Sequence, residues 1–188
     1  MYEIPNQQGH KHPGISGILK KLDSNACDTF IDMLNADALN LAKKPAKLFA
    51  IAAVVIDPTD ESKFLAVKRP PNAKSLPNVW GLPAITVKYG EQPEMATVRL
   101  AREKLNTQVE FLGCLGLASA DRGEYELTLM DVVVRSVVGK EPSVWEAPTQ
   151  QTKYVQQQWT NELLILQEAA LKGSVCSRIL LRFQGITY

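Results

Sequence analysis

Val79 to Thr107, VWGLPAITVKYGEQPEMATVRLAREKLNT, is the stretch whose reading decides how this chain folds. A tryptophan leads through Gly81-Leu82-Pro83 into a short Thr/Val-rich strand that stops at Gly90-Glu91. Pro93 then stands where a helix opens, a position at which its missing N–H costs nothing. The predicted helix runs to about Leu105 and carries Glu94, Arg99, Arg102, Glu103 and Lys104. Stepping about 100° per residue from Met95 gathers Met95, Val98, Ala101 and Leu105 within a sector of roughly 120°, which periodicity predicts to be buried. Leu100 falls nearly opposite, between Glu103 and Lys104, and is predicted to face a site rather than the core.

This strand–turn–charged-helix unit resembles the Nudix box, G-x5-E-x7-R-E-U-x-E-E-x-G-U, with U a bulky aliphatic residue. Counted from Ile85, Glu91, Arg99 and Glu103 fall on the first Glu, the Arg and the first Glu of the E-E pair. Ile85, Leu100, Lys104 and Asn106 depart from the pattern, and Ala101 and Thr107 are poor aliphatic stand-ins. The flanks keep further family features in register: Lys68-Arg69 closing a strand, Trp80-x-Leu82-Pro83, Gly90-Glu91 and Ala96. Trp159-Thr-x-Glu-Leu163 is a further feature of the same kind, so the resemblance covers about Leu48 to Phe183.

The resemblance implies an α/β fold, a Nudix-type α/β/α sandwich with a mixed β-sheet, here with an extra N-terminal helix. It also implies hydrolysis of a pyrophosphate linked to another moiety. Attack on such a polyanion requires divalent cations, and hard Mg²⁺ needs several carboxylates on one rigid platform. The family supplies them at positions that are here Leu100, Glu103 and Lys104, so an acid remains at only one and a cation replaces another. An apolar residue at 100 suits an apolar ligand group or a partner, not Mg²⁺.

Each remaining residue has two readings. Glu103 and Arg99 are either an i,i+4 pair worth a few tenths of a kcal/mol or a residual acid held by its arginine. Glu91 is a turn and helix-start residue or a weak metal ligand. Lys104 balances a phosphate, pairs with Glu103 or is solvated. Lys68 and Arg69 are placed to reach a bound anion, and Trp80 or Tyr89 to stack on a ring. Glu124, Glu126, Asp131, Glu141 and Glu146 are the acids outside the box that a surviving activity would need.

The remaining features bound the problem. The chain has 188 residues, a formal charge of +1 and 45% apolar residues, the composition of a single globular domain. Near-neutral charge gives no strong nucleic-acid or membrane signal. Cys27, Cys114 and Cys176 are widely spaced and are read as reduced, buried thiols. The polar start has no leader-like or membrane-spanning pattern, which points to the cytoplasm or nucleus. Residues 1–15 read as a flexible arm, in which His10 and His12 are tail residues rather than half a metal site. Residues 16–46 read as a helical extension and 47–188 as a Nudix-like domain. In the extension, Asp23 or Ser24 caps a helix of roughly 18 residues ending near Lys43-Lys44, with Cys27, Phe30, Ile31, Leu34, Ala38 and Leu41 inward. Strands are expected at 48–56, 64–69, 109–120, 124–138 and 154–159, and helices at 161–171 and 175–183.

The expectation for function is a degenerate Nudix-fold protein with little or no Mg²⁺-dependent pyrophosphohydrolase activity. It would act as a small-molecule-binding or interaction module, taking a diphosphate or a less polar compound, with a homodimer or protein partner left open. Lys68, Arg69, Leu100 and Lys104 are its candidate ligand-binding residues, and no cofactor is expected. Two alternatives stay open. One is an active hydrolase of a nucleoside-diphosphate-type substrate, with Arg99 and Glu103 catalytic and Mg²⁺ on Glu103 and Glu91. The other is a metal-independent acid–base enzyme acting through Glu103 on a less charged molecule.

Overall fold

The computed structural model describes residues 14–38, 46–148 and 153–188. Its centre is β1 (Ala46–Ile56), which from Leu48 on is the continuous apolar run LFAIAAVVI. A run apolar on every residue must be buried on both faces, and here it is. Ala50, Ala52, Val54 and Ile56 belong to one core cluster, while Phe49, Ile51, Ala53 and Val55 belong to the other. β1 pairs in parallel with β6 (Tyr125–Ser136) and antiparallel with β2 (Phe64–Lys68) and with β4 (Ala84–Thr86). β3 (Trp80–Gly81) and β7 (Gln156–Thr160) add to β2, and β5 (Val109–Asp121) adds to β6, completing a mixed seven-stranded sheet.

Helices cover both faces. α1 (Ser24–Ala38) and α2 (Pro93–Leu105) lie on the side of Phe49 and Ile51, where Phe30, Ala96, Leu100 and Leu105 enter the core. α3 (Gln167–Leu171) and α4 (Val175–Phe183) cover the side of Ala50 and Val54 through Ala170, Val175, Ile179 and Leu180. The result is the expected α/β/α sandwich with its N-terminal helix. Asp23 caps α1, its Oδ1 accepting from the N–H groups of Asn25 at 2.9 Å and Ala26 at 3.2 Å. The expected end of this helix at Lys43-Lys44, its inward position Leu41, and His10 and His12 lie outside the described residues. Ile15, the last residue of the expected arm, is fully buried in the core. The predicted helix at 161–171 begins as a 3-10 turn, Leu163–Leu166, before α3.

Two expectations are corrected. First, Cys27 and Cys114 are not free thiols: they form a disulfide across 87 residues, with Cα atoms 5.8 Å apart, while Cys176 is free and buried. Docking of α1 on β5 brings together cysteines that sequence spacing leaves unrelated. A loop of this length restricts the unfolded chain, so reduction is expected to lower stability by about 4 kcal/mol. Urea unfolding with and without a phosphine reductant reads this directly. A Cys27→Ser variant should unfold at the reduced midpoint and no longer respond to the reductant.

Second, α2 is turned relative to its expected register. Met95 and Val98, predicted to be core, are 63% and 53% exposed, whereas Leu100, predicted to face a site, is 1% exposed. The inward stripe is instead Ala96, Leu100, Ala101, Lys104 and Leu105, with Thr97 and Arg99 also buried. Short residues let the helix approach the sheet, and Thr97 hides its hydroxyl by donating to Pro93 O at 2.8 Å. Arg99 is buried because its charge is met, as described below. Asn106 ends the helix with φ 47°, its N–H donating to Ala101 O. The box pattern has glycine there, and asparagine is a common alternative in this left-handed position.

Candidate functional site

The box turn is tied by its own residues. Gly90 adopts φ 72°, which lets the chain reverse so that Glu91 Oε2 accepts from the Lys88 N–H at 2.8 Å. Arg99 reaches back from α2 and grips the same carboxylate twice, Nε to Oε1 and Nη2 to Oε2, both at 2.7 Å. Its Nη2 also donates to Thr86 O at 2.7 Å. The side chains are only 8% and 13% exposed, so this bidentate pair joins strand end, turn and helix in a place where water screens little. The arginine holds the Glu91 carboxyl below the ordinary range against the opposing effect of burial, and Glu91 in turn raises Arg99.

Glu103, one turn further, stands among cations. Its oxygens lie 3.6 Å from Arg99 Nη1 and 3.5 Å from Arg102 Nη2, and its charge also acts on Lys104. Among the described residues no group of three or more His, Cys, Asp or Glu side chains converges as a cation site. Lys104 is 3% exposed. Burial pushes its ammonium down to about 8, with Arg69 and Arg99 adding to the effect and Glu103 opposing it.

Lys104 faces a cleft of about 260 Å³ between the end of α2, the β3–β4 segment, β6 and the start of α4. Arg69 lines it from the end of β2, with its backbone N–H held by Val79 O at 3.0 Å. The Arg69 Nε is buried with no hydrogen-bond partner among the described residues. Tyr154 closes one wall, its hydroxyl accepting the Ala84 N–H at 2.9 Å and its pKa pushed up to about 12 by burial. Leu48, Ala50, Leu127 and Leu129 give an apolar floor, and Tyr125, Arg122 and Cys176 line the far end. No described Asp or Glu lines this cleft.

The candidate residues therefore separate. Arg69 and Lys104 meet in the cleft. Glu91, Arg99 and Glu103 form a charged chain beside it and are not among its lining residues. Leu100 packs in the core behind it. Lys68 pairs across strands with Trp80 and places its Nζ 5.8 Å from that ring's centroid, so each occupies the other. Tyr89 is exposed on the box turn, away from the cleft. Of the acids outside the box, Glu146 accepts from Asn106 Nδ2 at 3.2 Å, and Glu124 and Glu141 are exposed. Glu126 is half-buried on β6, on the strand face opposite the cleft residues Tyr125 and Leu127. Asp131 is fully buried beside Cys176, and burial holds it well above the ordinary carboxylate range. Arg122, Tyr154 and Cys176 were not foreseen as cleft residues. Strand alternation, which sets Tyr125, Leu127 and Leu129 on one face of β6, is a sequence signal for that wall of the cleft but not for these three residues.

No helix among the described residues is long and apolar enough to cross a membrane. No curated protein matches the chain in sequence. Solved structures do. A MutT protein from Methanosarcina mazei Go1 superposes with TM-score 0.58 at 14% identity, covering 77% of this chain and 97% of that one. The ORF135 protein of E. coli gives 0.54 at 19% identity, covering 73% and 91%. A NUDIX hydrolase from Nitrosomonas europaea gives 0.53 at 14% identity, covering 74% and 89%. At these identities the likeness establishes the fold. The sequence description of the NUDIX domain matches residues 47–170, which include the whole box, the cleft strands and α2. This chain belongs to the Nudix family.

Proposed function

We propose that this chain is a degenerate Nudix-fold protein that binds small phosphate-type anions in its cleft without a metal ion, with little or no pyrophosphohydrolase activity. The observation that carries this reading is the buried Lys104 beside the partly buried Arg69, in a cleft with no described carboxylate lining. Arg69 Nε adds a buried donor with no described partner, and such a donor is costly until an acceptor arrives. A phosphate oxygen meets that requirement with a charge-assisted hydrogen bond.

The Mg²⁺ that the family implies does not fit the residues present. Both Glu91 oxygens are taken by Arg99 and the Lys88 N–H. Glu103 is bracketed by Arg99 and Arg102. The other two family ligand positions hold a core leucine and a buried lysine. Mg²⁺ takes octahedral oxygen ligands and is repelled by cations in its first neighbourhood, so no step of the reading runs through it. Lys104 instead supplies in place the positive charge that a metal would otherwise bring.

Calorimetric titration of inorganic pyrophosphate in excess chelator tests the reading. Binding is expected in the natural protein, with a loss of about tenfold or more in Lys104→Met and in Arg69→Met, the scale of one charge-assisted contact. Urea midpoints of Lys104→Met and Arg69→Met are measured alongside, so that a loss of binding is separated from a loss of folding. Absence of binding, or equal affinity in all three proteins, overturns the proposal.

A further inference from the structure

β5 is the last strand on its side of the sheet, paired with β6 alone among the described strands. Its outer edge is covered at one place. Leu22 lies against Gly113, and the Asp23 N–H donates to Cys114 O at 2.9 Å. Beyond that point no described residue bonds to the outer backbone groups of residues 115–120. Strand edges are ordinarily guarded by charges, proline or bulges. Here both register shifts fall before Gly116, and pairing with β6 is unbroken from there to Asp121. Residues 112–120 hold neither a charge nor a proline. A groove of about 450 Å³ runs along this edge, between residues 115–120 and the α4 stripe Val175, Arg178, Ile179, Arg182 and Phe183. No described β6 residue lines it, so it lies at the rim of the sheet, and of its described lining Val175 alone also borders the anion cleft. No described carboxylate enters it. Both cations are set in place. Arg178 Nε donates to Ala170 O at 2.8 Å, and the two guanidinium carbons each stand 6.0 Å from the centroid of the Tyr188 ring. Their spacing of four residues is about 6 Å along a helix, close to the roughly 6.7 Å between alternate residues of a strand.

We propose that β5 takes an extended acidic peptide of a partner protein as an added strand, with alternate carboxylates meeting Arg178 and Arg182. Main-chain hydrogen bonds to residues 115–120 supply the affinity, and the arginines select the sequence. A second copy of this chain fits less well. Antiparallel pairing of two β5 edges places both α4 helices on the same face of the joined sheet, so their arginines approach one another unneutralised. The proposal is independent of the anion reading of the cleft.

The test is fluorescence anisotropy with a labelled octapeptide alternating valine and aspartate, against its valine–lysine counterpart. The aspartate peptide is expected to bind about tenfold more tightly or better, the scale of charge-assisted contacts. Arg182→Glu, at an exposed position, is expected to reverse that preference. Reversal is a gain for the lysine peptide that unfolding does not produce. Strand pairing uses one edge of the peptide, so N-methylation of alternate residues should abolish binding in one phase and spare it in the other. Absence of binding, equal affinity for the two N-methylated phases or for the two charges, or an unchanged preference in Arg182→Glu overturns the proposal. A dimer in sedimentation that excludes the aspartate peptide assigns the edge to a second copy and overturns it as well.

Discussion

Leu100→Glu is expected to lower stability by about 3–5 kcal/mol. Refilling the box with acids at 100 and 104 looks, on the pattern alone, like a repair. Leu100, however, is 1% exposed and packs with Ala96, Leu105, Ile85 and Val87 under the sheet. A glutamate there loses that apolar burial and carries a carboxyl into the core, where its charged form is disfavoured. Lys104→Glu alone is a different matter, because that position opens on the cleft. Urea titration of the single and double variants separates the two: midpoints should fall sharply wherever Leu100 is replaced, at unchanged slope. If Leu100→Glu keeps its midpoint and gains stability on adding Mg²⁺, the core placement of residue 100 is wrong.

Arg99→Ala should cost about 3–5 kcal/mol, because it strands the Glu91 carboxylate in a nearly buried turn and leaves Thr86 O without its donor. This pair also makes a signed prediction for pH. Arg99 holds the folded-state pKa of Glu91 below the unfolded value of 4.5. The stability that Glu91 contributes is therefore fully present above that value. It is lost as pH falls from 4.5 through the depressed folded pKa. Acid titration of stability should be shallower in Arg99→Ala over that window than in the natural protein. Parallel curves would show that Glu91 and Arg99 are not coupled.

The fold was legible because its signals are redundant. The unbroken apolar run of β1 demands burial on both faces, Pro93 marks a helix start, and Trp80-x-Leu82-Pro83 and Gly90-Glu91 keep their spacing to Arg99. The rotation of α2 was not legible, and its chemistry explains why. Periodicity assumes that large apolar residues point inward and charges outward. In α2 the inward stripe includes Lys104, and Arg99 is buried through Glu91, while Met95 and Val98 face solvent. An ion pair formed across eight residues of chain offsets the burial of Arg99, and a hydropathy pattern carries no record of it. The Cys27–Cys114 bond was hidden for a related reason, since only docking of α1 on β5 brings those residues together. Of the cleft lining, Arg69 and Lys104 were readable as cations from their places at the strand end and in the box. Tyr154, Arg122 and Cys176 were not, because they reach the cleft from segments distant in sequence.

The replacement of metal by lysine is the central claim, and paired binding and turnover measurements with and without Mg²⁺ test it most directly. Pyrophosphate affinity should be the same in chelator and in millimolar Mg²⁺, after correction for complexation of the free ligand. No release of phosphate or nucleoside monophosphate should exceed that of Glu103→Gln on a panel of nucleoside diphosphate derivatives. Rapid hydrolysis that requires Mg²⁺ and disappears in Glu103→Gln would contradict the account and leave the chain an active hydrolase.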